Sequence, residues 1–294
     1  MSTKEPAVEA HQKSEVQQDM AALRSCAAEV AAAMGRKVAC ERVSATTAVP
    51  AGSKKVHFIR HGEGFHNVAQ REWRSKASWD GKTEPYTLDT DPEMHYVDAL
   101  LNDKGKGQAI DLQKLTEPDL APELLVVSPM RRATQTGLLA FEPHIKRGKL
   151  PVLANELCHE RAGKHTCDKR LSKTELAAMY PQVDYGLITD EEDPFWGDGL
   201  TREEWSALGQ RAGKFVSWLL ARPETHVAVA AHSAFLLATF NAVFICDDEE
   251  TRSWFGTGEM RSVLIKPVAG SAGEEEIDEA GGAPLPKPKV QRVA

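Results

Sequence analysis

Arg60, His61, Gly62, Glu63 and Gly64 directly follow the apolar run Val56-His57-Phe58-Ile59. Arginine carries a permanently charged fork that matches phosphate oxygens. Histidine offers a ring nitrogen that attacks or relays protons near neutral pH. Glycine lets the backbone come close to a ligand. A nucleophile beside an anion clamp points to phosphoryl transfer. Arg-His-Gly is a short motif, and a polar turn after a strand is its plain alternative. The weight therefore falls on what the rest of the chain adds.

Three more apolar runs end in residues of the same kind. Ser128 to Thr136 follows Leu124-Leu125-Val126-Val127 and contains Arg131 and Arg132. Glu156-Leu157-Cys158-His159-Glu160-Arg161 closes the run that begins at Val152, and His232-Ser233 follows His226 to Ala231. Two histidines, His61 and His232, two or more arginines and a glutamate thus share one kind of position.

The elements that must hold them read as alternating strands and helices. Strands are expected at 55–60, 124–128, 152–157, 226–231 and 261–266, several as continuous apolar runs buried on both faces. Helices are expected at 103–115, 130–141, 173–180, 202–221 and 233–245, two of them opening with capping boxes, Ser172 with Glu175 and Thr201 with Glu204. This order implies an α/β fold, a three-layer α/β/α sandwich with a mostly parallel central sheet. Ligands of such sheets bind beyond the carboxyl ends of the strands. All four junctions then meet at one sheet edge.

Residues 1–53 read as an N-terminal extension, helical over 14–37 and a linker over 44–53. Residues 54–267 are expected to form the main domain, and the Gly-, Glu- and Pro-rich segment 268–294 has the composition of a disordered tail. The net charge of −7 over 294 residues gives no sign of a nucleic-acid partner. No run reaches the roughly 18 apolar residues of a membrane span. Glu5, Glu9, Glu15 and Asp19 and the lack of an apolar leader argue against a targeting peptide, so a cytoplasmic protein is expected. Cys26, Cys40, Cys158, Cys167 and Cys246 are scattered and odd in number, which fits reduced thiols. Neither tail names a protein partner.

The ordered blocks resemble the histidine phosphatase superfamily, also called the phosphoglycerate mutase-like family. Arg60-His61-Gly62-Glu63 matches its signature, and Ser128-Pro129-x-x-Arg132-Ala133-x-Gln135-Thr136 its second block. Val229-Ala230-Ala231-His232-Ser233 with Phe235-Leu236 matches the third, with Ser233 in place of the more usual glycine. Glu160 to Arg170, with Cys167-Asp168-Lys169-Arg170, looks like an uncharacterised eukaryotic subgroup. The resemblance spans roughly residues 54–267.

It implies a small phosphorylated substrate and catalysis without metal or other cofactor. His61 resembles the nucleophile that becomes phosphorylated. Arg60, Arg132 and His232 resemble the phosphate pocket, Asn67 the asparagine that touches the bound group, and Glu160 the proton donor. Two arginines and a protonatable histidine can neutralise phosphoryl charge. The leaving alkoxide needs a proton, and the same carboxylate can then activate water. Glu156 competes with Glu160 for that role. Glu160 is preferred because it stands three residues before Gly163, the spacing expected in the subgroup. The expected activity is hydrolysis of a phosphomonoester. The segment around Glu160 does not resemble the mutases' substrate loop, so a phosphoglycerate-type mutase is the alternative, and a non-catalytic phosphate-binding module is another.

Other residues carry plainer readings. Cys158, His159, His165 and Cys167 lack the usual zinc spacing. Glu63 is expected to be structural, His57 a satisfied sheet histidine, and Arg131 a surface residue. His66 either lines the pocket or faces solvent. Trp73, Trp79 and Tyr86 lie in a long segment, 71–97, that either covers substrate or pins itself to the core. Phe195 and Trp196 are expected to pack. Arg161, Lys164, Lys169 and Arg170 either extend the anion pocket or face solvent.

Overall fold

Alternate residues of one strand enter opposite cores. In β2 (Lys54–Arg60), Val56 and Phe58 join one apolar cluster and Ile59 the other. In β5 (His226–Ala231), Val227, Val229 and Ala231 face the first cluster, Ala228 and Ala230 the second. A sheet buried on both faces requires such continuous apolar runs. The computed structural model describes residues 5–116 and 120–268.

The sheet has seven strands in the order β4-β3-β5-β2-β7-β1-β6. The remaining strands are β1 (Val38–Arg42), β3 (Leu124–Val127), β4 (Val152–Ala154), β6 (Phe244–Ile245) and β7 (Met260–Pro267). β4, β3, β5 and β2 run parallel, β7 is antiparallel to β2 and β1, and β6 is parallel to β1. The helices are α1 (Glu5–Met34), α2 (Phe65–Ser75), α3 (Asp103–Asp111), α4 (Gln113–Thr116), α5 (Arg131–Ala140), α6 (Glu142–Lys146), α7 (Lys173–Met179), α8 (Trp205–Ala221), α9 (Ser233–Ala238) and α10 (Glu249–Arg252). α1, α8 and α9 supply side chains to the first cluster, while Ala140 of α5 and Leu176 of α7 join the second. The fold is α/β with a mostly parallel central sheet, as expected.

The N-terminal segment departs from the expected extension. α1 buries Met20, Leu23, Cys26 and Val30 in the first cluster, and a Cβ on Gly213 of α8 would fall 2.9 Å from Val30. β1 then enters the sheet between β7 and β6. Residue 53 therefore does not mark an edge of the folded unit. Alanines on the exposed face of α1, at 21, 22, 28, 32 and 33, leave its apolar stripe little contrast in the sequence. The tail expected over 268–294 lies, beyond Val268, outside the described residues.

Other differences are local. The third strand stops at Ala154, because Asn155 accepts from the Leu157 amide and starts a 3₁₀ turn over Glu156–Cys158. The Ser172–Glu175 capping box forms, but α8 begins at Trp205 with Glu204 as its N-cap, so Thr201 caps nothing. Arg202 and Glu203 are drawn away to Asp168 and Arg211 instead. The helix expected over 233–245 turns into a π-helical stretch at Thr239–Val243 and ends in β6. Among the described residues no helix is long and apolar enough to cross a membrane.

Candidate active site

His61 is the first residue beyond β2, and its amide donates to Ala231 at the end of the neighbouring β5. Its Nδ1 lies 2.7 Å from the Gly62 carbonyl. A carbonyl only accepts, so the proton sits on Nδ1 and Nε2 keeps a lone pair. Arg132 Nε lies 3.3 Å from that nitrogen. Burial, followed by Arg132 and Arg60, holds the His61 pKa well below the ordinary imidazole value, so the ring is neutral at pH 7. Gly62 serves a purpose other than the expected approach to a ligand. A Cβ there would collide with the Gly105 carbonyl at the start of α3, so the loop is pressed onto that helix.

Arg132, on the first turn of α5, is 1% exposed. Its Nη1 donates to the Cys167 carbonyl at 2.6 Å and its Nη2 to Asp168 Oδ1 at 2.8 Å. The other Asp168 oxygen accepts from Arg202 Nη1 at 2.8 Å. Burial would raise the Asp168 pKa, but Arg202 and Arg132 outweigh it and hold the carboxyl well below its usual range. Arg60 donates from Nη1 to the Phe255 carbonyl, and its Nε is buried without a partner. Burial lowers its pKa to about 10, which leaves it charged at neutrality.

His232 is fully buried beside His61 and does not itself line the cavity. Its ring centroid is 5.2 Å from that of His61, and its Nε2 bonds Ser128 Oγ at 2.8 Å. The second nitrogen, Nδ1, is buried with no partner. Burial and Arg132 lower its pKa well below 6.5, so the ring is neutral here rather than the cation anticipated from sequence. Unpartnered buried polar atoms are rare in folded proteins. Here Arg60 Nε and His232 Nδ1 belong to residues of the same site.

The structure separates the two glutamates. Glu156 is forked by Arg170, with Nε at 3.0 Å and Nη2 at 3.0 Å, and does not line the cavity. Glu160 lines the cavity that holds His61. Its Oε1 accepts from the amides of Arg161, Ala234 and Phe235 at 2.9, 3.1 and 3.1 Å. Its Oε2 has only longer contacts, Ser233 Oγ at 3.3 Å and the Ala234 amide at 3.4 Å. Arg211 ties the carbonyls of His159 and Glu160 to Glu203 and so fixes this turn. Asn67 lines the same cavity, and its Oδ1 accepts from the Gly64 amide at 2.9 Å.

The cavity measures about 1170 Å³. Arg161, Arg202 and Trp205 line it, as do Asp19 and Gln18 from α1. Arg161 stacks over Trp205 at 4.2 Å, and Trp205 donates toward Asp19. Of the four basic residues between 161 and 170 considered from sequence, only Arg161 reaches the cavity. Arg202, Asp168 and Trp205 were not singled out as site residues. Arg202 lies outside every motif, and its only signal is the acidic Asp168 that holds it.

Glu63 accepts from Asn102, Arg71 and Lys104, a structural role. His57 is buried and bonds Ser262 Oγ and His226. Arg131 is not a surface residue; it donates to Asp98 and Val97 carbonyls and is 18% exposed. Tyr86 lines the cavity, while Trp73 and Trp79 stack on Lys76 and Arg74. Phe195 packs on His159, and Trp196 is buried. All five cysteines are free, and His159 bonds Asp193 rather than joining them. Glu156, His159 and Asp193 bring ligand atoms within 4.8 Å of one another, but the Arg170 fork on Glu156 makes this a hydrogen-bonded network.

A sequence model of the histidine phosphatase superfamily (branch 1) matches residues 90–264. That match begins after His61, so the place of His61 in the site rests on geometry. The chain is 30% identical over 241 residues to a phosphoglycerate mutase-like protein of Arabidopsis thaliana, covering 72% of this chain and 84% of that one. It is 29% identical over 244 residues to phosphoglycerate mutase-like protein 1 of the same plant, covering 72% and 81%. A probable phosphatase of Schizosaccharomyces pombe is 28% identical over 182 residues, covering 61% of this chain and 74% of that one. By the extent of these matches, the chain belongs to the histidine phosphatase superfamily.

Proposed function

We propose that the protein is a phosphatase that hydrolyses a phosphomonoester, without a metal, through a phosphohistidine on His61. One bond carries this reading. His61 Nδ1 donates to the Gly62 carbonyl, which leaves the Nε2 lone pair for attack on phosphorus. Attack forms the N–P bond and breaks the bond from phosphorus to the leaving oxygen. Glu160 supplies that oxygen's proton, and Oε2 is the oxygen free to carry it, since Oε1 is held by three amides. Glu160 then takes a proton from water, whose oxygen attacks the phosphohistidine and releases phosphate.

Arg60, Arg132 and His232 stabilise the charge on the three equatorial oxygens. Phosphoryl transfer needs chiefly such positioning and electrostatic support. The unpartnered Arg60 Nε is a donor position suited to those oxygens. The Schizosaccharomyces relative's name fits hydrolysis, whereas the plant relatives are named mutase-like.

The test is hydrolysis of p-nitrophenyl phosphate in EDTA between pH 5 and 8, with His61→Ala beside the wild type. Activity that survives EDTA and vanishes in the variant supports the mechanism. Equal activity in both proteins, or loss with EDTA, overturns it. Transfer of the phosphate back to an acceptor, with little loss to water, would identify a mutase.

A further inference from the structure

His66 stands on the first turn of α2 and lines the same cavity as His61, but the reaction above leaves it without a task. It is 6% exposed, and its ring centroid is 5.5 Å from that of His61 and 6.3 Å from that of Tyr86. Its Nδ1 is buried with no hydrogen-bond partner. A Cβ on Gly64 would fall 2.7 Å from this nitrogen and 2.7 Å from Cε1, so that edge of the ring is sealed against the Gly64 backbone. Nε2 is therefore the nitrogen left to the cavity.

The proton must sit on one of the two. A buried N–H without an acceptor is among the rarest and costliest arrangements in a protein. The proton consequently belongs on Nε2, and Nδ1 keeps only a lone pair. Burial and Arg132 lower the pKa well below 6.5, so the ring is neutral. If packing alone were required, a phenyl ring would fill this volume without desolvating two nitrogens.

The geometry points to His66 as a third imidazole of the phosphoryl site, donating from Nε2–H to a non-bridging oxygen of the group carried by His61. The inference rests on the phosphate-binding part of the proposed function, but not on turnover. It makes His66 a catalytic residue by contact with the transferred group.

Binding of orthovanadate and of inorganic phosphate, measured by calorimetry in EDTA, tests it in wild type, His66→Phe and His66→Gln, beside kcat/KM on p-nitrophenyl phosphate. Phe fills the space without a donor, and Gln restores an N–H near the position of Nε2. Thermal unfolding of each variant identifies any that fails to fold. The expected result for His66→Phe is a loss of about 10²-fold in vanadate affinity and in kcat/KM, the scale of a removed oxyanion donor. His66→Gln should recover part of both. Wild-type vanadate and phosphate affinity in a folded His66→Phe protein overturns the inference. So does a wild type that binds neither anion. A wild type that binds vanadate but hydrolyses nothing overturns the phosphatase reading alone, and the affinity comparison still decides the role of His66.

Discussion

Arg132 Nε stands 3.3 Å from His61 Nε2, so the ring nitrogen that keeps its lone pair also accepts from the guanidinium beside it. The same guanidinium is fixed by the Cys167 carbonyl and Asp168. Its planar fork cannot be copied by an ammonium. Arg132→Lys should lower kcat by roughly 10²–10³-fold, the effect of removing a preorganised donor. Steady-state rates on p-nitrophenyl phosphate check this, and an unchanged kcat would refute it.

Asp168 holds Arg132 and Arg202 at once. Asp168→Ala leaves two guanidiniums without their buried counter-charge, a class of change that costs about 3–5 kcal/mol. The expected outcome is a lower urea midpoint together with weaker phosphate binding. A variant as stable as wild type would show that solvent replaces the carboxylate.

Glu160 and Glu156 should separate by leaving group. A general acid matters most when the departing oxygen is a strong base. Glu160→Gln should lose roughly 10²–10⁴-fold on an alkyl phosphate and much less on p-nitrophenyl phosphate. Glu156→Gln should change stability, through Arg170, and leave this ratio intact. Equal losses on both substrates for Glu160→Gln would remove it from the proton-donor role.

Acid should destabilise the fold earlier than carboxylates alone would allow. Burial holds His61, His66 and His232 well below 6.5, His57 and His165 at about 3 and His226 at about 4. Their unfolded forms charge near 6.5, so below that pH the unfolded state binds more protons. The stability they contribute is full above pH 6.5 and falls as pH drops toward their folded values. Each such histidine adds a slope of roughly 1.4 kcal/mol per pH unit in that window. His159, raised by Asp193 against the lowering effect of its burial, acts in the opposite sense. Asp193, held at about 2 by His159 against its own burial, adds its loss only at lower pH. Urea midpoints should therefore decline between pH 7 and pH 5, and a flat profile would contradict this.

Leu23 tests the standing of α1. It is 0% exposed in the first core cluster, so Leu23→Ala should cost about 3 kcal/mol, as for other buried leucines. A loss below about 1 kcal/mol, a typical effect of mutation outside tight cores, would return α1 to the status of an appendage.

The sequence by itself determined the strands that lead to His61, Arg132 and His232, because runs buried on both faces leave a continuous apolar signature. It also carried the family, through the ordered blocks around His61, Arg132 and His232. Tertiary structure decided which glutamate lines the cavity of His61. Asn155 ends β4 early, Arg170 removes Glu156, and the start of α9 holds Glu160. It alone recruited Arg202 through Asp168, and it drew α1 and β1 into the domain. Each of these depends on partners far apart in the chain, and local periodicity carries no record of such pairings.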